Sequence, residues 1–221
     1  MRTPYKAVDE VLAAWMRRIS ITFNRTRLAM NFDELNVIGA FDKIGKLYQQ
    51  LKEMNEKRYL AIAQKAYDDA YNEAAAAGFE GEKDSPDAAW LLLILAGYDG
   101  VTKYVYNHEV ERKAARLAEA VLADAERQAR QEMINDFRRA ESLWRKQTKQ
   151  YAIAVDDAAV VKAFQDAGVK RVRWITADEE KVCSACNSLD GKIYAIDKTP
   201  EKPHYNCRCY LTIVREDGDD S

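Results

Sequence analysis

Five residues that could bind a metal ion are concentrated in the last fifth of the chain. They occur in two short motifs, C-S-A-C and H-Y-N-C-R-C, and include all four cysteines and one of the two histidines. A C-x-x-C pair followed by a tight group of His and Cys is typical of a structural zinc site, because two ligands on a short turn hold one side of a tetrahedral ion and a second pair closes the other. The pattern therefore predicts one structural zinc ion per chain, with the candidate ligands Cys183, Cys186, His204, Cys207 and Cys209.

Zinc in a structural site takes four ligands, so one of the five candidates is in excess. The expected set is Cys183, Cys186, His204 and Cys207, with Cys209 as a neighbouring thiol or as a replacement for the histidine. Because a strand would place Cys207 and Cys209 on the same face, the sequence leaves that choice open. The alternatives are reduced cysteines packed as small hydrophobic residues, or two disulfides. The clustering favours zinc over both.

A catalytic role for this zinc is not expected. A catalytic zinc keeps an open coordination position near a general base, whereas the abundance of thiols here predicts a closed site. The sequence has no H-E-x-x-H motif, no deaminase order of zinc ligands, no phosphate-binding glycine loop and no nucleophile elbow. His108 is a lone histidine in a predicted helix, and Asp178, Glu179 and Glu180 are interpreted as a turn. We therefore predict a protein that is not an enzyme.

The composition limits the class of protein. The 34 basic and 36 acidic residues nearly balance, which gives no support for nucleic-acid binding through a generally basic surface. The first residues lack the apolar segment of a signal peptide, and four cysteines in a chain of this length indicate a reducing compartment. The longest apolar run, Ala88 to Ala96, is too short to span a bilayer and is predicted to be a buried helix.

Most of the chain has the apolar spacing of helices. Helices are predicted over 5–29 and 33–77. A further helix is predicted to begin with Ser85 as N-cap and Pro86 as its first residue. Another is predicted over 156–167, where Gly168 ends it. Because residues 102–150 contain no glycine or proline, they are predicted to form one long helix or two nearly collinear ones. Alternating apolar residues then predict three short strands, around Val172 to Thr176, in K-I-Y-A-I after the turn at Asp190 and Gly191, and around Cys207 to Ile213.

These elements predict a mainly helical protein with a small α/β end. Residues 1–150 would form an elongated helical body that docks to a partner, and residues 151–215 a zinc-binding module. Residues 216–221 would form a frayed acidic tail. The small module cannot bury enough apolar surface to be stable alone, so zinc would supply the missing cohesion.

The C-terminal motifs resemble the signature of the Mu F-like family of phage minor head proteins, also described as head morphogenesis proteins. That signature has a Trp-x-Thr strand, an Asp turn, C-x-x-C, an L-x-G segment and then H-P-x-C-R-C. The chain departs from it at Tyr205, where proline is usual. The resemblance covers about residues 150–214, and the matching residues outside the candidate ligands are Trp174, Thr176, Asp178, Leu189, Gly191 and Arg208.

The resemblance implies a structural component of the virion or procapsid, made in the host cytoplasm and assembled into the phage head. It implies docking to the portal protein, or to the major capsid or scaffold protein, and a part in head assembly or DNA delivery. In such a module we expect Trp174 in the small core and Arg208 in a charged hydrogen bond. Self-association of the chain also stays open.

Two other functions remain as hypotheses. One is a zinc-dependent effector, and the other is a nucleic-acid-binding module that travels with the phage DNA. Basic residues in the module could contact phosphates, although acidic residues are interspersed among them, which favours a mixed solvated face. These basic residues are Arg171, Arg173, Lys181, Lys192, Lys198, Lys202 and Arg208.

Overall fold

The computed structural model describes residues 2–30, 37–97, 106–127, 129–177, 182–204 and 207–215. This part of the chain is mainly helical with one small antiparallel sheet. The acidic tail 216–221 and the turn at 178–180 lie outside the described residues. The first five helices are α1 (Lys6–Leu28), α2 (Val37–Ala76), α3 (Ala88–Gly97), α4 (Tyr106–Glu126) and α5 (Arg130–Asp166). They are followed by β1 (Arg171–Ile175), α6 (Ser184–Asn187), β2 (Ile193–Ala195), a 3-10 turn (Ile196–Lys198) and β3 (Tyr210–Ile213).

The helices from 106 to 166 differ from the predicted pattern. Two helices are present, but α5 runs without a break through residues 150–156, where the sequence analysis separated a long helix from a further one beginning at Asp156. The segment Y-A-I-A-V-D-D contains neither glycine nor proline, so nothing in it ends a helix. The predicted stop at Gly168 is confirmed, because this residue has φ of 86°, a conformation that L side chains rarely adopt.

The short apolar helix α3 is only partly buried, which corrects the prediction for residues 88–96. Leu91 and Leu95 are buried, whereas Leu92 is 49% exposed and Leu93 is 72% exposed. The helix also starts later than expected. Asp87 accepts a hydrogen bond from the backbone N–H of Trp90 (2.8 Å) and so caps the helix instead of Ser85. No helix in the described ranges is both long enough and apolar enough to cross a bilayer.

The chain divides into two compact units, and one break between them falls between Tyr151 and Ala152. Unit 1 contains Met1–Asp9, Leu60–Ile94 and Ala152–Ser221, and unit 2 contains Glu10–Tyr59 and Leu95–Tyr151. Each unit therefore combines segments that are distant in sequence. The prediction that residues 151–215 form a separate module concerns independent folding, and it stays a prediction.

Unit 2 is a helical core organised around a buried amide. Asn55 is 1% exposed. Its carbonyl oxygen accepts a hydrogen bond from Trp15 Nε1 (3.0 Å), and its Nδ2 donates to Thr148 Oγ1 (2.9 Å). One side chain thus satisfies polar groups from α1 and α5, which stabilises a core that is mainly apolar. The apolar members of this core include Ile19, Phe23, Ile44, Leu47, Leu51, Val121, Met133 and Phe137.

Unit 1 contains the antiparallel sheet, with strand order β2-β1-β3. Trp174 in β1 is 1% exposed and pairs with Leu211 in β3, which confirms the expected core position of this tryptophan. The backbone of Trp174 bonds toward the β2 side, where Gly191 N donates to its carbonyl (2.8 Å). The Leu211 carbonyl therefore points to the outer edge of β3, and Arg2 Nη2 donates to it there (3.3 Å).

A loop of unit 1 packs tightly against the C-terminal end of α5. A Cβ atom added at Gly81 would lie 1.9 Å from the backbone oxygen of Asp166 and 2.9 Å from the backbone of Ala167. The approach is held by Tyr71, whose hydroxyl donates to the Gly81 carbonyl (2.5 Å). Only glycine fits this position.

Asp156 is a buried carboxylate in the same part of α5. It is 2% exposed, and its Oδ1 has no hydrogen-bond partner. Burial, together with the adjacent charge of Asp157, raises the pKa of Asp156 to about 7, although Arg2, Lys202 and Arg208 act in the opposite direction. The effect of burial on this pKa outweighs the effect of the three cations. The Asp156 carboxyl of the folded protein therefore stays protonated at pH values at which it is ionised in the unfolded chain.

We expect Gly81→Ala to destabilise the protein strongly, by about 3 kcal/mol or more, because backbone atoms must move to accept the methyl group. Gly45→Ala is the matched control. It lies within α2 with no atom within 4 Å of an added Cβ, and it should stabilise by up to about 1 kcal/mol through helix propensity. Urea unfolding of both variants measures the difference. Equal stability of the two would contradict the described packing of the loop.

Asp156→Asn should stabilise the protein more at high pH than at low pH. The folded-state pKa of Asp156 is raised, so the folded state binds more protons than the unfolded state between about pH 4 and 7, and ionisation costs increasing stability across that range. The expected gain in unfolding free energy is about 2 kcal/mol at pH 5 and about 4 kcal/mol at pH 8. Because variant and wild type are compared at each pH, any pH dependence of the unfolding free energy that the two proteins share cancels. The exposed Asp197→Asn is the control, and a gain that does not change with pH would refute the assignment.

Candidate metal centre

The C-x-x-C pair forms a tight turn at the start of α6. Cys183 lies in extended backbone just before the helix, and its Sγ accepts a hydrogen bond from the backbone N–H of Cys186 (3.3 Å). Asn187 N donates to the Cys183 carbonyl (2.9 Å), which closes the turn. Cys183 is exposed and Cys186 is buried, so the turn presents one thiol at the surface and one toward the interior.

The turn is connected to the sheet by hydrogen bonds between Asp190 and Thr176, a residue of the signature. Asp190 accepts hydrogen bonds from the backbone N–H (2.8 Å) and the hydroxyl (3.0 Å) of Thr176, which closes the segment that carries the C-x-x-C pair. The same backbone N–H lowers the pKa of Asp190. Gly191 has φ of 71°, as the predicted Asp-Gly turn requires. These contacts hold the C-x-x-C turn beside β1.

The second half of the cluster comes from the segment before β3. His204 is exposed, whereas Cys207 is 2% and Cys209 is 3% exposed. Cys186 Sγ lies 3.1 Å from His204 Nε2 and 3.6 Å from Cys207 Sγ. Residues about twenty positions apart thus converge on one sulfur atom. Tyr205 and Asn206, which include the departure from the signature, lie outside the described residues.

The five predicted ligands form two overlapping groups. Cys183, Cys186 and His204 have ligand atoms within 4.8 Å of one another, and so do Cys186, Cys207 and Cys209. Cys186 belongs to both groups and is the centre of the cluster. None of the four cysteines forms a disulfide, so the disulfide alternative has no support here. A cluster with this donor set could hold a metal ion.

The thiols differ in their tendency to ionise. Burial raises the pKa of Cys186 and of Cys207, while the backbone N–H of Cys186 lowers the pKa of the exposed Cys183. Thiols bind metals as thiolates, so the two buried ones need a nearby cation to lose their protons. A divalent ion bound at Cys186 would supply that charge.

Side chains near the start of the chain form hydrogen bonds with the segment that carries Cys207 and Cys209. The Tyr5 hydroxyl donates to the Cys209 carbonyl (2.5 Å), and Lys202 Nζ donates to the same oxygen. Arg208 forms two hydrogen bonds with Asp9, at 2.7 Å and 3.2 Å, which confirms its expected charged hydrogen bond. Sequence analysis missed the roles of Tyr5 and Asp9, because no local pattern links positions about 200 residues apart.

These supporting contacts also change the interpretation of the basic residues. Lys202 lies 3.3 Å from Asp157 and 5.2 Å from the centre of the Trp174 ring, so its charge is directed inward. Arg208 is paired with Asp9. Lys181 lies outside the described residues, while Arg171, Lys192 and Lys198 are exposed. Lys202 and Arg208 therefore have partners within the protein.

Comparison with known proteins supports the resemblance seen in the motifs. Residues 119–212 match the family model described as phage Mu protein F like protein. No curated protein and no solved structure gives a significant match. The matched range includes the end of α4, all of α5, the sheet and every candidate ligand. Residues 119–212 of this chain are therefore similar to the phage Mu F-like family.

Proposed function

We propose that the protein is a phage head morphogenesis protein, a structural component of the virion or procapsid rather than an enzyme. The observation that carries this proposal is the family match over residues 119–212, which contain the Cys/His cluster. The protein would be made in the host cytoplasm and would act in the phage head. Residues 1–118 lie outside the matched range, and we assign partner docking to the helices of residues 1–150.

We further propose that the cluster binds one zinc ion through four of its five residues. Two thiolates on a tetrahedral zinc are about 3.7 Å apart when each Zn–S bond is about 2.3 Å. The separation of 3.6 Å between Cys186 Sγ and Cys207 Sγ agrees with this spacing. Cys183 is the third proposed ligand, and His204 or Cys209 the fourth. Cys186 is the ligand that no alternative set can omit.

In this proposal zinc has a structural role. It would neutralise the buried thiolates and connect the C-x-x-C turn to the segment that leads into β3. Small zinc modules gain roughly 10–16 kcal/mol in apparent binding free energy, which is folding free energy when no site exists in the unfolded chain. The three strands have only 5, 3 and 4 residues, so such a contribution would decide whether the sheet forms.

Protein purified under reducing conditions without added metal should contain one zinc per chain. Chelation should accelerate amide hydrogen exchange in β1 and β3, because the thiols lose the ion that connects them, while the central turns of α2 should exchange as before. Elemental analysis and exchange measured by mass spectrometry test both statements. Absence of metal in freshly purified, reduced protein would refute the zinc proposal.

Single substitutions identify the ligands within the same experiment. Cys186→Ser should abolish zinc retention, whereas Ser184→Ala in the same turn is the matched control and should retain one zinc. His204→Ala and Cys209→Ser form the decisive pair, because the variant that keeps a full equivalent of zinc has lost a residue that is not a ligand. A Cys186→Ser variant that retains a full equivalent of zinc would contradict the assignment of Cys186 as a ligand.

Docking to the portal is tested by co-expression with the portal protein of the same phage. We expect the two proteins to co-purify in fixed stoichiometry and to remain associated on size exclusion, with or without the Cys186→Ser substitution if the helical residues carry the contact. A folded, zinc-loaded protein that does not bind the portal would contradict portal docking. Binding to the major capsid protein or to DNA would then be measured in the same format.

A further inference from the structure

A large cavity lies within unit 1, beside α5 and the segment that follows β2. Its volume is about 640 Å³, which is in the range of sites that bind compact ligands. All of its lining residues belong to unit 1. Part of its wall is apolar and is formed by Trp90, Ile94, Val161 and Pro200. None of the described candidate metal ligands lines it, so the cavity is a site separate from the metal centre.

Two buried polar atoms of residues in the cavity wall lack hydrogen-bond partners among the described residues. Trp174 is 1% exposed, and its Nε1 is a donor without an acceptor. Asp157 Oδ2 is an acceptor without a donor, whereas Oδ1 of the same carboxylate accepts from the Tyr5 hydroxyl (2.8 Å). A buried polar group that stays unpaired costs free energy, and such groups are rare in folded proteins. A ligand in the cavity could pair both.

The two unpaired atoms belong to side chains that lie beside the same ammonium group. Lys202 Nζ is 3.3 Å from Asp157 Oδ1 and 5.2 Å from the centre of the Trp174 ring. One ligand group that offers both an acceptor and a donor can therefore reach both side chains. An amide does so, because its carbonyl oxygen would accept from Trp174 while its N–H would donate to Asp157.

The charges around the cavity favour an uncharged ligand. Each of the three cations in the wall already has a carboxylate partner. The pairs are Lys162 with Asp166 (3.0 Å), Lys202 with Asp157 (3.3 Å) and Arg2 with Glu73 (3.6 Å). An anionic ligand would compete with these carboxylates and would also meet Asp197 and Glu201 in the wall. A cationic ligand at Asp157 would compete with Lys202.

We propose that this cavity binds a short peptide segment of a partner protein, with one backbone amide between Trp174 and Asp157 and an apolar side chain against Trp90 and Ile94. A peptide supplies the amide and the apolar group together. It also carries no phosphate, which the carboxylates of the wall would repel. The proposal goes beyond the proposed function and depends on neither the zinc ion nor the portal contact.

The test uses the full-length, isotope-labelled protein and the probe N-acetyl-leucinamide, which has an apolar side chain between two amides. We expect a dissociation constant on the order of 1 mM, as for a ligand of few atoms. In NMR spectra with up to about 20 mM probe, the indole N–H resonance of Trp174 should shift as it gains an acceptor. Trp144 Nε1 is also buried and unpaired among the described residues, but Trp144 does not line the cavity, so its resonance should stay in place.

Two variants each remove one side of the amide contact. Trp174→Phe keeps an aromatic ring without the donor, and Asp157→Asn puts a donor where the ligand N–H needs an acceptor. We expect each variant to bind the probe about tenfold more weakly, because one polar group of the ligand stays unpaired. Asp197→Asn is the matched control and should bind as wild type, since Asp197 lines the cavity but is exposed. Circular dichroism checks the fold of each variant, and the wild-type indole shift does not depend on any of them.

Three results would overturn the proposal. The first is a Trp174 indole resonance that does not respond at the highest probe concentration. The second is probe binding that Trp174→Phe and Asp157→Asn both retain in full, since the probe would then occupy another place. The third is a shift of the same resonance by thymidine monophosphate at lower concentration than by the probe, which would make the cavity a nucleotide site.

Discussion

The arrangement of unit 1 depends on the burial of several sulfur atoms around Cys186. Three thiols that are nearly inaccessible to solvent lie within 4.8 Å of one another, and burial opposes the ionisation of Cys186 and Cys207. Such a group is either neutral and weakly bonded, or charged and bound to a cation. In the second case the ion joins the turn at Cys183 to the segment before β3. The proposed zinc would therefore cross-link the C-x-x-C turn to the segment that leads into β3, beside a sheet that is small in itself.

Polar side chains around the cluster stabilise the same part of unit 1. Tyr5 and Lys202 bond to the Cys209 carbonyl, and Arg208 is held by Asp9. These contacts orient the backbone that carries two candidate ligands, in the way that groups outside a coordination sphere commonly orient metal ligands. Asp156 introduces a cost in the same region, since its buried carboxylate has an oxygen without a hydrogen-bond partner. The region thus combines strong local interactions with one unfavourable buried charge.

Much of this could be predicted from the sequence, and the remainder has physical reasons. Helical spacing, the stop at Gly168 and the turn at Asp190 and Gly191 are local signals, and the structure agrees with them. The continuity of α5 was missed because a pattern of apolar residues can shift its face without ending a helix. The exposure of Leu92 and Leu93 was missed because sequence hydrophobicity does not say how many neighbours are available to cover a helix. The contacts of Tyr5 and Arg2 connect distant parts of the chain, which no single-sequence pattern records.

The outer edge of β3 has a further consequence. Sheet order makes β3 an edge strand. The outward carbonyl of Leu211 in β3 and the carbonyl of Cys209 just before it are already bonded to the side chains of Arg2 and Tyr5. An edge with free carbonyl and N–H groups is a template on which other chains add strands and aggregate. Residues 2–5 thus occupy acceptors that a foreign strand would need. Protein that lacks these residues would expose a short strand edge, and its solubility at high concentration would fall even if every helix and every metal ligand remained in place.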